Sequence, residues 1–540
     1  MKSLRFVCSF AAFMFAILLI ARPAGASAQV APAAHQPQDK FAKVVRYDSG
    51  GIQATSLAIG DVNGDGITDL VVANFQGVHG GNGEVSVLLG NADGTFQPAL
   101  TFGSNGWLAT SVAIGDLNGD GKLDLVVTND CITAGNCPGS VGSVSVLLGN
   151  GDGTFQPAVS YSTGAYYADT VAIGDVNGDG IPDLVVGNFC QTANQYGCTS
   201  TGAVSILLGN GDGTFQSPTI FNSGGYWADS VAITDLNGDG FPDLVVVNWC
   251  TGNQYGECGQ PEGAVSVLLG NGDGTVQPAV NYSAGGYYAQ GLAIGDLNGD
   301  GHLDLAVGSC SPLNGECGYT IPGNVGVLLG NGDGTFQPVV TYYSGGSSPR
   351  SITIADMNGD GIPDLVVANA TDCDFCDYGV GVLLGRGKGT FDAGSTYLAG
   401  GAGADSVAIT DLNGDGKPDV VVADLCAKAR RCPGEGELGV LLNNFMAKTA
   451  TRVTSSLNPA QANQPVTFTA TITSGSAVPN GEVVTFYDDG TEIGTGTTAN
   501  GVATLTTSFS TAGKYTIAAS YPGDLFREAS SGRVKQVVKP

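Results

Sequence analysis

The chain has 540 residues, with 85 glycines, 13% charged residues and a formal net charge of −28. This length exceeds one ordinary domain, and the glycine-rich, charge-poor composition is typical of a turn-rich all-β protein. The acidic balance offers no basic stripe for phosphate groups, which argues against nucleic acid as a partner.

The N-terminus has the pattern of a secretory signal peptide. Lys2 lies before an apolar run from Phe6 to Ala21, and Ala26 to Ala28 forms a small-residue cleavage site. We interpret 1–28 as the signal peptide, with an uncleaved anchor as the alternative, and 29–40 as a flexible leader. No later segment is long and apolar enough to span a membrane. We therefore expect a secreted protein, extracellular or at the cell surface, with the periplasm as the alternative.

A nine-residue loop of the pattern DxNGDGxxD then occurs seven times, and we number the copies loops 1 to 7. Successive copies begin 55 to 61 residues apart, at Asp61, Asp116, Asp175, Asp235, Asp296, Asp356 and Asp411. In loop 2, Asp116, Asn118, Asp120 and Asp124 occupy positions 1, 3, 5 and 9. Gly121 at position 6 permits the positive φ of a tight turn. A loop wound in this way brings the side-chain oxygens toward one centre.

The oxygen atoms of these loops predict which metal ion they would bind. Three carboxylates, one amide and the backbone carbonyl of position 7 provide hard ligands without sulfur or imidazole, a combination that favours Ca²⁺ over Mg²⁺. A metal-free Asn-Gly and Asp-Gly turn is the alternative. The loops supply 21 of the 49 acidic residues, so we expect up to one calcium per repeat. The predicted ligands are Asp61, Asn63, Asp65, Ile67, Asp69, Asp116, Asn118, Asp120, Lys122, Asp124, Asp175, Asn177, Asp179, Ile181, Asp183, Asp235, Asn237, Asp239, Phe241, Asp243, Asp296, Asn298, Asp300, His302, Asp304, Asp356, Asn358, Asp360, Ile362, Asp364, Asp411, Asn413, Asp415, Lys417 and Asp419.

Four strand signals per repeat predict one propeller blade for each loop. The fourth strand follows an FQPA-like segment, as at Phe96 and Phe155, but repeat 7 has no such segment after its third strand. The missing one lies before loop 1, at Phe41. The sequence therefore predicts a seven-bladed propeller over 41–446, in which 41–50 complete the last blade and leave no open edge.

Twelve cysteines follow the leader and form six close pairs, one in each of repeats 2 to 7. In an exported chain such pairs predict local disulfides, with zinc binding as the alternative. The predicted pairs are Cys131 with Cys137, Cys190 with Cys198, Cys250 with Cys258, Cys310 with Cys317, Cys373 with Cys376, and Cys426 with Cys432.

Aromatic residues concentrate in the connections that precede the loops and beside the cysteines, and they do so unevenly among the repeats. Rings beside amide side chains suit sugar binding, because a flat apolar surface has polar groups at its rim. Packing between blades around the central shaft is the alternative. The candidate ligand-binding residues are Trp107, Tyr166, Tyr167, Tyr226, Trp227, Trp249, Tyr287 and Tyr288.

The DxNGDGxxD loops and the strand pattern resemble the FG-GAP (VCBS-type) repeats of integrin α-subunit propellers and of many secreted bacterial proteins. The resemblance implies that the loops join the first and second strands of each blade on one face and bind calcium structurally. It also implies that partners bind on the opposite face. The cysteine pairs are not part of the general pattern.

The pattern changes after Met446. Residues 450–540 contain no metal loop and no cysteine, and they resemble a bacterial immunoglobulin-like β-sandwich in which Tyr515 matches the corner tyrosine. The fold class is thus all-β, a seven-bladed β-propeller followed by an Ig-like sandwich. We expect a monomer.

The sequence favours a binding or adhesion module for a glycan or a cell-surface partner. Only three histidines occur, His35, His79 and His302, and none has a placed serine or cysteine partner for a nucleophilic triad. Two alternatives stay open: a polysaccharide lyase or hydrolase, and a purely structural surface protein.

Overall fold

The structure is a computed structural model of the chain. It describes residues 40–77, 82–132, 140–194, 197–252, 262–311, 322–370, 378–427, 434–474, 477–524 and 526–540. The predicted signal peptide, and the predicted leader up to residue 39, lie outside the described residues. In the described ranges no helix has the length and hydropathy needed to cross a membrane.

The repeats fold into short antiparallel strands. In chain order these are β1 (Val45–Gly60), β2 (Asp69–Gln76), β3 (Asn82–Leu88), β4 (Leu100–Gly115), β5 (Asp124–Cys131), β6 (Ser143–Leu147), β7 (Val159–Ser162), β8 (Tyr166–Gly174), β9 (Asp183–Cys190), β10 (Ala193–Asn194), β11 (Gly197–Cys198), β12 (Ala203–Leu207), β13 (Thr219–Asn222), β14 (Tyr226–Thr234), β15 (Asp243–Cys250), β16 (Glu262–Leu268), β17 (Val280–Gly295), β18 (Asp304–Cys310), β19 (Gly323–Leu328), β20 (Val340–Tyr343), β21 (Pro349–Ala355), β22 (Asp364–Asn369), β23 (Tyr378–Leu383), β24 (Ser395–Leu398), β25 (Ala402–Thr410), β26 (Asp419–Cys426) and β27 (Glu435–Leu441).

These strands form seven four-stranded blades, one for each loop. An inner strand enters the loop, the second strand leaves it, and two further strands follow as antiparallel neighbours, as in β14, β15, β16 and the start of β17. The rest of β17 pairs with β18 and becomes the inner strand of the next blade. The second strands are apolar and β-branched because they are buried on both faces.

The propeller core lies between neighbouring blades. Each of the seven blade interfaces holds its own cluster of buried aliphatic side chains. At the interface of blades 6 and 7, Val366 and Val380 pack with Val407 and Val422. A blade therefore buries its apolar faces only when it has a neighbour on both sides.

The beginning of β1 supplies the outer strand of blade 7. Val45 lies opposite Val440 in an antiparallel pairing of β1 with β27. Phe41, which is 5% exposed, packs edge-on against Tyr397 and Phe445 at centroid distances of 5.0 and 5.2 Å. The ring is thus joined by strand pairing between residues almost 400 positions apart.

The C-terminal residues form a separate two-sheet sandwich. Its strands are β28 (Ala450–Ser455), β29 (Ala460–Gln461), β30 (Val466–Thr473), β31 (Val483–Asp488), β32 (Thr491–Thr497), β33 (Val502–Thr507), β34 (Gly513–Tyr521) and β35 (Ser530–Lys539). The sheet orders are β28-β30-β33 and β29-β35-β34-β31-β32. Phe468, Phe486 and Tyr521 fill the space between the sheets. The Tyr515 hydroxyl donates to the carbonyl of Thr511 at 2.7 Å. The all-β propeller and Ig-like architecture is confirmed.

Candidate metal loops and ligand face

The seven loops are wound by hydrogen bonds from their own backbone. In loop 1 the Asp61 carboxylate accepts the N–H groups of Gly64 and Gly66, both at 2.7 Å, and Asn63 Oδ1 accepts that of Asp65 at 2.9 Å. Loops 2 to 5 and loop 7 repeat these three bonds. The position-6 glycines have φ between +79° and +87°, a conformation that an L side chain rarely adopts.

The aspartate at position 9 has a second task that the spacing of the loop does not reveal. Asp69 is fully buried, and its two carboxylate oxygens accept the N–H groups of Val62 at 3.0 Å and Gly90 at 2.8 Å. Gly90 belongs to the turn after the third strand. All seven blades make the same pair of bonds. Position 9 therefore fastens each loop to the next turn of its blade.

In every loop the carboxylates of positions 1 and 5 help to raise the pKa of the aspartate at position 9. Burial raises the pKa of Asp69, backbone N–H bonds oppose this rise, and the neighbouring charges of Asp65 and Asp61 add to it. In loops 6 and 7, where burial is deeper, the same causes raise the pKa of Asp364 to about 7 and that of Asp419 to about 6. A divalent cation would relieve this repulsion, because it favours the charged form of every carboxylate near it.

The donor set fits a hard cation. In loop 6 Asn358 is 8% exposed, and its Oδ1 has no hydrogen-bond partner, although the corresponding oxygen of Asn63 accepts a backbone N–H. A buried acceptor without a donor is costly, and a metal ion would satisfy it. Across the described ranges no three Asp, Glu, His or Cys side chains form a metal-binding group by themselves. An ion would thus also need the amide and backbone oxygens, and calcium at these loops stays a prediction.

The cysteine loops lie at the opposite ends of the second strands. A disulfide joins Cys190 and Cys198 and closes the β10–β11 hairpin, with the Cα atoms 5.8 Å apart. Four further cysteines are also disulfide-bonded, namely Cys131, Cys250, Cys310 and Cys426.

The other predicted cysteine pairings extend beyond the part of the chain that the structure describes. The predicted partners of those four cysteines, Cys137, Cys258, Cys317 and Cys432, lie outside the described residues. Both members of the remaining pair, Cys373 and Cys376, also lie outside them, within 371–377. A disulfide between Cys373 and Cys376 therefore stays a prediction.

Five aromatic rings pack in a continuous row across blades 3 to 5, which we call the aromatic arc. It consists of Tyr167, Phe189, Trp227, Trp249 and Tyr288, with successive centroids 6.3, 6.1, 4.4 and 4.7 Å apart. All five side chains are half-buried. The arc lies where the inner strands begin, and the metal loops lie where these strands end. The two sets therefore occupy opposite faces of the propeller.

The structure separates the predicted ligand-binding residues into two groups. Tyr167, Trp227, Trp249 and Tyr288 belong to the arc. The other four lie in the strand opposite the cysteines, in the pairs Trp107 with Cys131, Tyr166 with Cys190, Tyr226 with Cys250, and Tyr287 with Cys310. Phe189, which directly precedes Cys190 as Trp249 precedes Cys250, joins Tyr167 to Trp227 in the arc.

The inner-strand rings of the arc are held in a strained backbone. Tyr167 and Trp227 have φ of +58°, and Tyr288 has +51°. The pairing register shifts just after these rings, as between Ala228 and Ser230. The equivalent residues of the other blades, Gln53, Leu108, Ser348 and Gly403, also have a positive φ. This conformation therefore belongs to the blade geometry, and only blades 3 to 5 place an aromatic ring there.

Polar side chains two residues beyond the strained position were not predicted as a group. Gln290 donates to Asp229 at 3.2 Å, and Arg350 lies 3.5 Å from Asp405. These residues come from four consecutive blades, and we call them the inner ring. Withdrawal from water raises the pKa of Asp229 to about 6; the nearby Arg350 and the Gln290 hydrogen bond oppose this rise, and Asp405 adds to it. The sequence signal for the inner ring is that its residues occupy the same position of successive repeats, two residues after the aromatic position.

Family models match both parts of the chain. A model described as FG-GAP-like repeat matches 61–127, 128–186, 196–246, 258–307, 317–367 and 370–422. A second model, FG-GAP repeat, matches 108–147, 167–207 and 227–268. The model of the bacterial Ig-like domain (group 3) matches 453–539.

Curated relatives include integrin α-subunits. Integrin alpha pat-2 of Caenorhabditis elegans is 28% identical over 37% of this chain and 18% of its own length. Integrin alpha-V of Gallus gallus is 29% identical over 39% of this chain and 21% of its own length. The chain thus spans about a fifth of the length of these relatives.

Solved structures give distant matches. The extracellular domain of a one component system from B. thetaiotaomicron has a TM-score of 0.41 and 11% identity, over 93% of this chain and 59% of that one. The exotype rhamnogalacturonan lyase YesX has a TM-score of 0.35 and 12% identity, over 86% of this chain and 91% of that one.

Proposed function

The chain belongs to the family of FG-GAP repeat proteins, and from that membership we propose that it is an extracellular, calcium-stabilised binding module. Its ligand in this proposal is a neutral glycan, bound at the aromatic arc. The metal loops hold the blades in place on one face, and the arc on the other face meets the ligand. The Ig-like domain serves as a spacer or an additional adhesive module.

The continuous row of five half-buried rings is the observation that carries the proposal. The rings pack on one another, so a sugar contacts their tilted, solvent-facing parts and the outer sides of Tyr167 and Tyr288 at the two ends. The neighbouring disulfide-closed hairpin adds exposed Thr192, Asn194 and Thr199, which can hydrogen-bond to sugar hydroxyls. Seven bound Ca²⁺ ions would halve the net charge of −28, and the negative charge that remains disfavours acidic polysaccharides.

A glycan array with the purified full chain, followed by calorimetry of the best binder, tests the glycan proposal. Trp227→Ala and Trp249→Ala should each weaken binding by about tenfold or more, because aromatic anchors dominate the binding energy of such sites. Trp107→Ala is the matched control, since this indole lies opposite a cysteine and outside the arc, and it should leave the affinity within about twofold. Equal losses in all three variants, or unchanged binding in the two arc variants, would remove the arc as the site. Cleavage of the glycan would favour the lyase or hydrolase instead.

Calcium binding is tested separately. Titration of the metal-free chain in a calorimeter should give a stoichiometry near seven, one ion for each DxNGDGxxD loop. The support for this number is that the loops wind their backbone around the carboxylate of position 1, as at Asp61, and the amide of position 3, as at Asn63. A chain that takes up no calcium at millimolar concentration would contradict the stabilising role proposed for the loops.

A further inference from the structure

One side chain of the Ig-like domain lies against two of the metal loops. Phe526 is close to the backbone of Gly359 in loop 6 and of Gly416 in loop 7. A Cβ atom added to Gly359 would lie 3.3 Å from the nearest atom of Phe526, and one added to Gly416 would lie 3.2 Å from it. Lys417 Nζ lies 5.9 Å from the centre of the same ring. Phe526 is therefore wedged between neighbouring loops of blades 6 and 7.

This arrangement distinguishes loops 6 and 7 from the other five. A Cβ at position 4 or 6 of loops 1 to 5 would meet no heavy atom closer than 4.0 Å. Asn358 of loop 6 is 8% exposed and Lys417 of loop 7 is 4% exposed, whereas Asn118 is half-buried and Lys122 is exposed in loop 2. The Ig-like domain thus covers part of both loops: it covers Asn358 in loop 6 and Lys417 in loop 7, whereas Asp411 and Gly416 of loop 7 stay exposed.

The segment that carries Phe526 is fastened to the end of the propeller. The N–H of Ala447 donates to the carbonyl of Phe526 at 2.7 Å, and the N–H of Glu528 donates to the carbonyl of Ala447 at 2.9 Å. Lys40 Nζ lies 3.6 Å from the Glu528 carboxylate. Ala447 itself is 2% exposed. Two backbone bonds to Ala447 thus fix Phe526 and the residues after it to the segment that directly follows the propeller.

We infer that Phe526 caps loops 6 and 7, so that these two loops are slow-exchanging calcium sites and calcium in them fixes the Ig-like domain to the propeller. The inference rests on the proposed calcium binding of the loops. An ion leaves such a loop when the loop opens and water enters. A ring packed on the glycine backbone hinders both events. Conversely, a loop that loses its ion no longer presents a fixed surface to Phe526.

Release of calcium into excess chelator, followed by stopped-flow fluorescence, tests the cap. The wild-type chain should release five ions in a fast phase and two in a phase about tenfold slower or more, because affinity differences between similar sites lie mostly in dissociation rates. In Phe526→Ala all seven should leave in the fast phase. Phe526→Leu keeps an apolar cap and should give an intermediate slow phase. Leu457→Ala is the control, as this side chain is 37% exposed on the same domain and should leave both phases unchanged.

Trypsin digestion at Lys448, an exposed residue just after Ala447, reports on the connection between the propeller and the Ig-like domain. Chelation should speed cleavage there in the wild type, and Phe526→Ala should be cleaved as quickly with calcium as without it. If calorimetry finds seven ions but they leave in one phase in every variant, the cap is wrong while the calcium proposal stands. If no calcium binds, both are wrong.

Discussion

Asp229 shows how one residue can make the stability of the propeller depend on pH. It faces Arg350, Asp405 and Gln290 in the inner ring, and burial is the main reason why its pKa is raised from 3.8 to about 6. An acid whose pKa is higher in the folded than in the unfolded state binds more protons when folded. Its contribution to stability is therefore present at low pH, is lost as the pH rises to about 6, and changes no further above that value.

Asp229→Asn should therefore stabilise the chain at neutral pH, because the amide resembles the protonated acid. We expect a gain on the order of 1–2 kcal/mol in the free energy of unfolding at pH 7.5 and almost none at pH 4. Urea unfolding of wild type and variant, at both pH values and equal calcium, measures this difference. A gain that is equal at the two pH values, or a loss at pH 7.5 alone, would contradict the pKa argument.

The metal loop, as an element, combines two roles that mutation can separate. In loop 4, Asp239 at position 5 is exposed. Asp243 at position 9 is buried and accepts the N–H groups of Leu236 and Gly270. Position 5 accepts hydrogen bonds only within its own loop, from the Phe241 N–H at 2.8 Å and the Asn237 side-chain amide at 3.0 Å, whereas position 9 also ties the loop to the rest of the blade. The two aspartates should respond differently when calcium is absent.

In excess EGTA, Asp243→Ala should lower the free energy of unfolding by about 2–5 kcal/mol, because it leaves two buried N–H groups without an acceptor. Asp239→Ala should change it by less than about 0.5 kcal/mol under the same conditions. With calcium, calorimetry should find one ion fewer in both variants. Similar losses for the two variants in EGTA would mean that position 9 has no structural task of its own.

The elements differ in how far the sequence could predict them. The loops are local, so alternate aspartates and a glycine at position 6 were enough to predict their turns. The bond from Asp69 to Gly90 was not predictable, because it joins residues 21 positions apart whose proximity depends on the finished blade. Neighbouring aromatics such as Tyr226 and Trp227 were assigned to one face. Both lie at that end of the blade, but the register shift at the residue with positive φ separates them there, so that Tyr226 lies opposite a cysteine and Trp227 belongs to the arc. The Phe526 wedge depends on the packing of two domains, which periodicity does not encode.

At the scale of the whole molecule, stability is shared among interfaces that repeat around a ring. Each blade buries its apolar faces against two neighbours, so a loosened loop in one blade weakens the contacts of the next. Seven similar ions would bind the folded chain and not the unfolded chain, so each would increase the free energy of unfolding.

Removal of calcium should therefore lower the melting temperature of the full chain clearly, by roughly 10–20 °C if the ions are present at about a hundred times their dissociation constants. Differential scanning calorimetry in calcium and in EGTA measures the shift, and magnesium at the same concentration is the control. An unchanged melting temperature in EGTA would contradict the proposed role of the loops.

The pairing of β1 with β27 also has a consequence for biogenesis. Val45 is synthesised nearly 400 residues before its partner Val440, so the outer strand of blade 7 has no partner until almost the whole propeller has left the ribosome. Because this contact is long-range and forms late, it delays closure of the propeller ring. The ring of a nascent chain therefore stays open. An exported polypeptide of this design would cross the membrane before its ends meet, and the circle would shut only outside the cytoplasm.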